Sequence, residues 1–384
     1  MMHDPTPRTS LAELALLFVK LGTTAFGGPA AHVAMMEDEV VRRRGWLTRE
    51  DFLDYVGATN LIPGPNSTEL AMHVGRERRG WAGLAVAGAA FIVPAASIVG
   101  ALAWAYVRFG TLPQAAGLLY GIKPVVIAVI LQAVAGLGRT ALKSRALWVV
   151  GAGAALLFGL GVNELLVLAM AALACVVGRR AASDGVRAAG VALVWPAGAV
   201  AGASVAPASL GAIFGVFLKI GAVLFGSGYV LVAFLRADLV ERLGWLTERQ
   251  LLDAVAIGQV TPGPVFTTAT FIGYILGGVP GAVVATIAIF LPAFVFVAAS
   301  GPLVRRIRSS PTAGAALDGV NVASLALMAV VTIQLARTAL VDPLTIALAV
   351  ASAVLLIRYR VNSAWLVLGG AAVGLARAML VGAM

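Results

Sequence analysis

Four glycine-bearing clusters hold the residues of this chain best suited to chemistry. They are Phe26-Gly27-Gly28-Pro29, Leu61-Ile62-Pro63-Gly64-Pro65-Asn66-Ser67-Thr68, Phe225-Gly226-Ser227-Gly228 and Thr261-Pro262-Gly263-Pro264. Each interrupts an apolar, helix-forming stretch, and a proline after the break suits the first turn of a restarted helix, where its missing N–H is not needed. A restarted helix exposes unpaired backbone N–H groups and about half a positive charge. If such ends converge, four of them total about +2 before screening, comparable to the charge of a tetrahedral oxyanion. Nearby side chains add hydrogen-bond donors: Asn60, Asn66, Ser67 and Thr68 in one half of the chain, Gln259, Thr267 and Thr268 in the other. For any one break the competing account is a kink that serves packing alone; four in a repeated pattern weaken that account.

Ionisable residues inside apolar segments are costly and so informative. Lys20 and Lys219 each stand six residues before the first break of their half. They are expected to supply a fixed positive field around an anion, unless they snorkel to an interface. Glu69 follows the Pro63-Gly64-Pro65 break and His73 lies one turn later, a pair able to carry a coupling proton. Thr268 and Ile272 stand at the matching positions, which confines that role to one half. Glu13 and His32 are weaker candidates, the first interfacial and the second a packed imidazole. Asp54 and Asp253 match in position, and there a local structural role after Gly-Trp-Leu-Thr competes with a functional one. No zinc, nucleotide or nucleophile motif occurs and the three histidines are widely spaced, so no catalytic residue, metal or cofactor is expected. The one cysteine, Cys175, excludes an intrachain disulfide.

The elements that must position these residues follow from composition. Of 384 residues 60% are hydrophobic and 12% charged, and the mean hydropathy is +0.95, far from a soluble domain with roughly a quarter charged. Apolar runs of about 20 residues recur along the chain, which indicates an all-α polytopic membrane protein. Runs such as AGLAVAGAAFIVPAASIVGALAWAYV exclude the short alternating strands of a barrel. The net charge of +10 reads as a basic cytoplasmic surface and not as nucleic-acid binding. The run Glu37 to Arg44, followed by Gly45-Trp46, reads as an amphipathic surface turn with tryptophan at headgroup level.

Sliding the chain on itself by 199 residues pairs Phe18 with Phe217, Lys20 with Lys219 and Gly22 with Gly221. The same register pairs Gly45-Trp46-Leu47-Thr48 with Gly244-Trp245-Leu246-Thr247, and Pro63-Gly64-Pro65 with Pro262-Gly263-Pro264. One deletion later, Gly75 falls on Gly273, Pro94 on Pro292 and Gly121 on Gly319. This is a duplication. We expect a first repeat over 1–178, a linker over 179–208 in which 189–206 could form an extra crossing, and a second repeat over 209–384. Each repeat reads as two interrupted segments (11–35 and 52–75; 209–235 and 251–277) and four plainer spans. Whether the interrupted segments cross or turn back stays open in the sequence.

Loop charge sets their sense. In the first half Arg76, Arg78 and Arg79, then Arg139, Lys143 and Arg145, then Arg179, Arg180 and Arg187 mark alternate loops. In the second half the loop equivalent to the first of these is the uncharged GGVPG, while Arg305, Arg306, Arg308, Arg358 and Arg360 mark the others. Since basic loops stay cytoplasmic, equivalent loops face opposite sides and the halves are inverted-topology repeats with broken or re-entrant helices.

FGGPAAHV, RRRGWLT, PGPNSTELAMHVG and FIVPAAS, in that order, resemble the first domain of the chromate ion transporter family. FGSGYVLVAFL, GWLT and QVTPGPVFTTATFIGY resemble its second. The resemblance implies a two-domain, long-chain member that exports chromate across the bacterial inner membrane. Its motif positions carry over to Phe26, Gly27, Gly28 and Pro29, to Pro63, Gly64 and Pro65, and to Pro262, Gly263 and Pro264. The second half departs at Ser227 and Gly228, where Gly-Pro would stand. The expected partners are a chromate- or sulfate-like anion and the lipid bilayer, with a homodimer as an alternative to a monomer. A secondary transporter working by alternating access is the leading expectation. A sulfate transporter, a passive anion channel and a membrane enzyme acting on phosphoester lipids are the competing ones.

Overall fold

The computed structural model describes residues 9–183 and 208–382, apart from positions 27, 111, 226, 227, 229 and 309. Among these residues every regular element is helical. The first half runs α1 (Leu11–Thr24), α2 (Gly28–Glu37, prolonged by a π-helical turn Asp38–Arg43), α3 (Arg49–Thr59), α4 (Asn66–Phe109), α5 (Pro113–Ala141), α6 (Arg145–Gly159) and α7 (Glu164–Ser183). The second repeats the plan as α8 (Leu210–Val223), α9 (Leu231–Leu235, prolonged by a π-helical turn Arg236–Arg242) and α10 (Glu248–Val260). It continues with a 3-10 turn Val265–Thr267 leading into α11 (Thr268–Arg308), then α12 (Pro311–Ala339), α13 (Pro343–Arg358) and α14 (Ser363–Gly382). Residues 184–207, which contain the expected extra crossing, lie outside the described residues.

The interrupted segments turn back instead of crossing. Leu14, Leu17, Phe18 and Leu21 of α1 share a buried cluster with Met36 and Val40 beyond the break, and Lys20 Nζ reaches Glu39 Oε1 at 2.6 Å. The two helices are therefore antiparallel, with Ala25 and Phe26 at the tip. Tyr55 of α3 stacks on His73 of α4 with 5.1 Å between ring centroids and donates a hydrogen bond to Glu77 at 2.6 Å. These contacts make a second hairpin, with residues 60–65 at its tip. At Arg79 and Gly80 α4 bends sharply and returns, bringing Gly75 and Gly83 so close that a Cβ on either would strike the other's backbone. Gly277 and Gly278 bend α11 in the same way, with Gly273 against Gly281. The Gly-Trp-Leu-Thr copies prove to be helix starts: Thr48 and Thr247 cap α3 and α10 by accepting from the N–H groups of Asp51 and Gln250, a contact worth about 1 kcal/mol.

Among the described residues five helices, α4, α5, α11, α12 and α14, are long and apolar enough to cross a membrane. Large apolar side chains such as Trp148, Val149, Leu173, Trp365 and Leu380 are exposed on them and their neighbours, as a lipid-facing surface requires. With no hydrophobic drive between helices in lipid, close backbone approach must hold them together, and small residues supply it. Gly121 sits against the backbone of Gly370, and Gly319 against that of Ala171. These two contacts correspond in the internal register, and they interleave the halves: α13 and α14 pack on α5, while α6 and α7 pack on α12.

Candidate functional site

The hairpin tips of the two halves meet. Gly64 N–H donates to the Leu224 carbonyl at 2.8 Å, and Gly263 N–H donates to the Ala25 carbonyl at 3.0 Å. Positions 64 and 263, like 25 and 224, coincide in the 199-residue register, so the two bonds are one contact made twice about a pseudo-twofold axis. Each donor stands between two prolines with φ of +139° at Gly64 and +87° at Gly263, backbone that favours glycine. Pro63, Gly64, Pro65 and Pro262, Gly263, Pro264 therefore face Ala25 and Leu224, the last residues before the opposite breaks. Gly28 and Pro29 open α2 beside them. Gly27, Gly226 and Ser227 lie outside the described residues.

Polar groups gather on the first half of this junction. His32 is buried and bridges two tips: its Nε2 lies 3.0 Å from the Ala25 carbonyl and its Nδ1 lies 3.2 Å from Ser67 Oγ. A carbonyl can only accept, so Nε2 carries the proton and Nδ1 receives that of Ser67. The sequence ranked His32 low because a lone histidine on an apolar helix has no visible partner; its partners come from 7 and 35 residues away. Asn66 donates to Asn60 at 2.7 Å. Glu69 is fully buried, and neither of its carboxyl oxygens has a hydrogen-bond partner among the described residues. Its carboxyl lies under the turn, where a Cβ at Gly64 would meet Oε1. Thr68 Oγ1, His73 Nε2 and, across the junction, Gln259 Nε2 are likewise buried without partners among the described residues. Buried polar atoms are normally paired, so such a concentration at a helix restart marks a place suited to a proton or a polar ligand.

Two expectations are corrected here. Thr267 and Thr268 donate to the carbonyls of Pro264 and Val265, both at 2.8 Å, so their hydroxyl protons are spent on their own turns. The lysines do not stand as bare charge. Lys20 pairs with Glu39 at 2.6 Å, and Lys219 pairs with Asp238 at 2.8 Å and Glu164 at 3.0 Å. Glu39 stands 11 residues beyond Gly28, about 16 Å along the helix, so pairing draws the ammonium toward the hairpin base and away from the break. The duplicated lysine thus ties each first hairpin shut.

Sequence reading missed Lys123 and Tyr106. Lys123 pairs with buried Asp253 at 2.7 Å, and Tyr106 donates to the same carboxylate at 2.9 Å. A lysine in the middle of the apolar run GLLYGIKPVVIAVI was the signal. The register places Asn321 opposite Lys123 and Asp54 opposite Asp253, so this ion pair bridges the halves once and has no symmetry mate. Packing is unequal in the same sense: α10 packs on α5 and α12, whereas the main contacts of α3 are with α2 and α4 of its own half. Thr23, Thr24, Phe26 and Asn60 at the first-half tips are exposed, while their counterparts Ala222, Val223, Phe225 and Gln259 are half-buried. An exposed helix break cannot face lipid, so the open side must meet water or protein.

The sequence profile of the family described as "Chromate transporter" matches residues 12–178 and 211–375. A chromate transport protein of Cupriavidus metallidurans is 33% identical over 371 residues, covering 95% of this chain and 92% of that one. A chromate transport protein of Pseudomonas aeruginosa is 34% identical over 343 residues, covering 86% and 82%. An uncharacterised transporter of Bacillus subtilis is 30% identical over 131 residues, covering 34% of this chain and 74% of its own. No solved structure matches the chain significantly.

Proposed function

The chain belongs to the chromate transporter family, and from that premise we propose that it exports a tetrahedral dianion, chromate first, across the bacterial inner membrane by alternating access. The observation that carries this reading is the reciprocal pair of bonds, Gly64 to Leu224 and Gly263 to Ala25, which brings the breaks of both halves to one junction. In this reading the anion lies against the restarted helices at Gly28, Pro29, Asn66 and Ser67, with Gln259 approaching from the other half. The duplicated Pro-Gly-Pro turns hold those ends in place. The repeats 1–178 and 209–384, joined by 179–208, act as inverted copies interleaved around the shared α5/α12 bundle.

Unequal packing supports alternation. Inverted repeats can exchange conformations, so a second state would bring α3 onto the α5/α12 bundle and release α10. Glu69 would take the coupling proton, because an ionised carboxylate beneath the turn would repel a dianion. Export also runs with an inside-negative potential, which favours outward movement of two negative charges by about 4.6 kcal/mol per 100 mV. The relatives are named transport proteins, and the reading is accordingly of a transporter and not of an enzyme. Purified protein in liposomes is expected to give saturable chromate flux with counterflow. Absence of saturable flux of chromate and of sulfate, under every ion gradient tried, would refute it.

A further inference from the structure

Away from the junction, a cavity of about 560 Å³ opens between the start of α5, the end of α12, α14 and α10. It lies at the end of the bundle opposite Arg139 and Lys143, hence away from the basic loops. Lys123, Arg249 and Arg377 line it together with Tyr120. Lys123 is the residue paired with Asp253. Arg377 stacks over the Tyr120 ring at 4.2 Å from its centroid and stands 3.5 Å from Asp342, which Tyr120 also contacts at 2.5 Å. Arg249 is exposed and forms no ion pair among the described residues. Three cations thus face two carboxylates, leaving an excess of one positive charge in a concave, partly apolar wall.

The duplication supplies an internal control. At the corresponding positions of the other half the register puts Asp318 for Tyr120, Asn321 for Lys123, Glu50 for Arg249 and Arg179 for Arg377. Inherited packing alone would leave similar chemistry at both ends. Instead two of the three lining cations, Lys123 and Arg249, have no basic counterpart, and the acid Asp318 that replaces Tyr120 is paired with Lys143 at the place of Val341.

We propose that this cavity is a second binding site, an outer vestibule that holds a small free tetrahedral oxyanion of the sulfate or chromate kind through Arg249, Arg377 and Lys123. Guanidinium forks suit two oxygens of such an anion, and the volume leaves room for part of its hydration shell. An anion seated there also competes with Asp253 for Lys123, which weakens the contact that binds α10 to α5. The vestibule rests on the transport reading for its purpose, not for its test.

Equilibrium dialysis of labelled sulfate against the detergent-purified full chain measures it. The double variant Arg249→Gln/Arg377→Gln is expected to bind one anion fewer per chain than the wild type. Each single variant should weaken that class of site about tenfold, the loss of one charge-assisted hydrogen bond. Arg377→Lys, which keeps the charge, should retain most of the binding and so separates charge loss from misfolding. Unchanged stoichiometry in the double variant overturns the proposal. Sulfate displaced stoichiometrically by added phosphatidylglycerol also overturns it, by assigning the cations to lipid headgroups. Vestibule binding without saturable flux counts against the transport reading alone; flux with unchanged anion stoichiometry counts against the vestibule alone.

Discussion

Gly263→Ala puts a methyl group where the junction has no room for one. Its Cβ would stand 2.5 Å from Ala95 Cβ and 3.0 Å from the Gly22 carbonyl oxygen, at a φ of +87°. Left-handed backbone costs a non-glycine residue about 1–2 kcal/mol, and forcing a methyl group into packed backbone adds about 1–3 kcal/mol. Displacing the N–H from the Ala25 carbonyl forfeits about 1 kcal/mol more, so the sum is about 3–6 kcal/mol. Gly64→Ala, at a φ of +139°, meets a backbone penalty at least as large, about 1–3 kcal/mol, but its side-chain obstacles are milder. Ala293 Cβ at 3.4 Å is an ordinary contact, and the other obstacle is the flexible end of the buried Glu69 side chain, so the cost is about 2–4 kcal/mol. At about 1.4 kcal/mol per factor of ten, Gly263→Ala is expected to be the more damaging by roughly tenfold. Chromate counterflow per mole of folded protein and the melting midpoint in detergent both report it. Displacing Glu69 should in addition alter the pH dependence of Gly64→Ala and leave that of Gly263→Ala alone. Gly64→Ala as harmful as its counterpart, or Gly263→Ala with wild-type flux and melting, would show that the tips do not meet as described.

Other expectations follow from the same geometry. Glu69→Gln should transport with a flattened pH dependence between acid and neutral conditions, checked by initial rates in liposomes; an unaltered profile removes the proton from Glu69. Lys219→Ala leaves Glu164 buried beside Asp238, which among the described residues keeps Arg242 at 2.8 Å, and should cost about 1–3 kcal/mol. Lys20→Ala breaks a pair whose lysine is half exposed and should cost under about 1 kcal/mol; thermal melting of the two variants gives the order. Lys123→Met should free α10 from α5 and raise proteolytic or hydrogen-exchange opening of 248–260 specifically. Protection of that segment equal to wild type would remove the ion pair as a closure.

Much of this architecture is readable from residue types. Glycine and proline at fixed places in apolar text announce helix breaks, and the repetition of Lys20, Gly22, Gly45-Trp46 and Pro63-Gly64-Pro65 two hundred residues later announces two copies. What pairs with what is not readable, because it depends on where the hairpins fold back. A segment of about 25 apolar residues can cross a bilayer or return within it with the same composition. Contacts across the breaks, such as the ion pair from Lys20 to Glu39 and the stack of Tyr55 on His73, decide for the return. The same folding cancels the lysine charges, consumes the Thr267 and Thr268 protons, and raises His32 from a packed imidazole to a bridge between tips. Lys123 escaped notice because its matching position is asparagine, and reading by duplication favours what both halves share.

The claim at the centre is that the anion sits where the four breaks converge. A structure of the protein with chromate, located by anomalous scattering at the chromium absorption edge, tests it most directly. The account predicts chromium beside Ser67 and Asn66, within hydrogen-bond reach of the restarted helices near Gly64 and Gly263. An ordered chromium elsewhere in the membrane span, with that junction empty at saturating chromate, would contradict it.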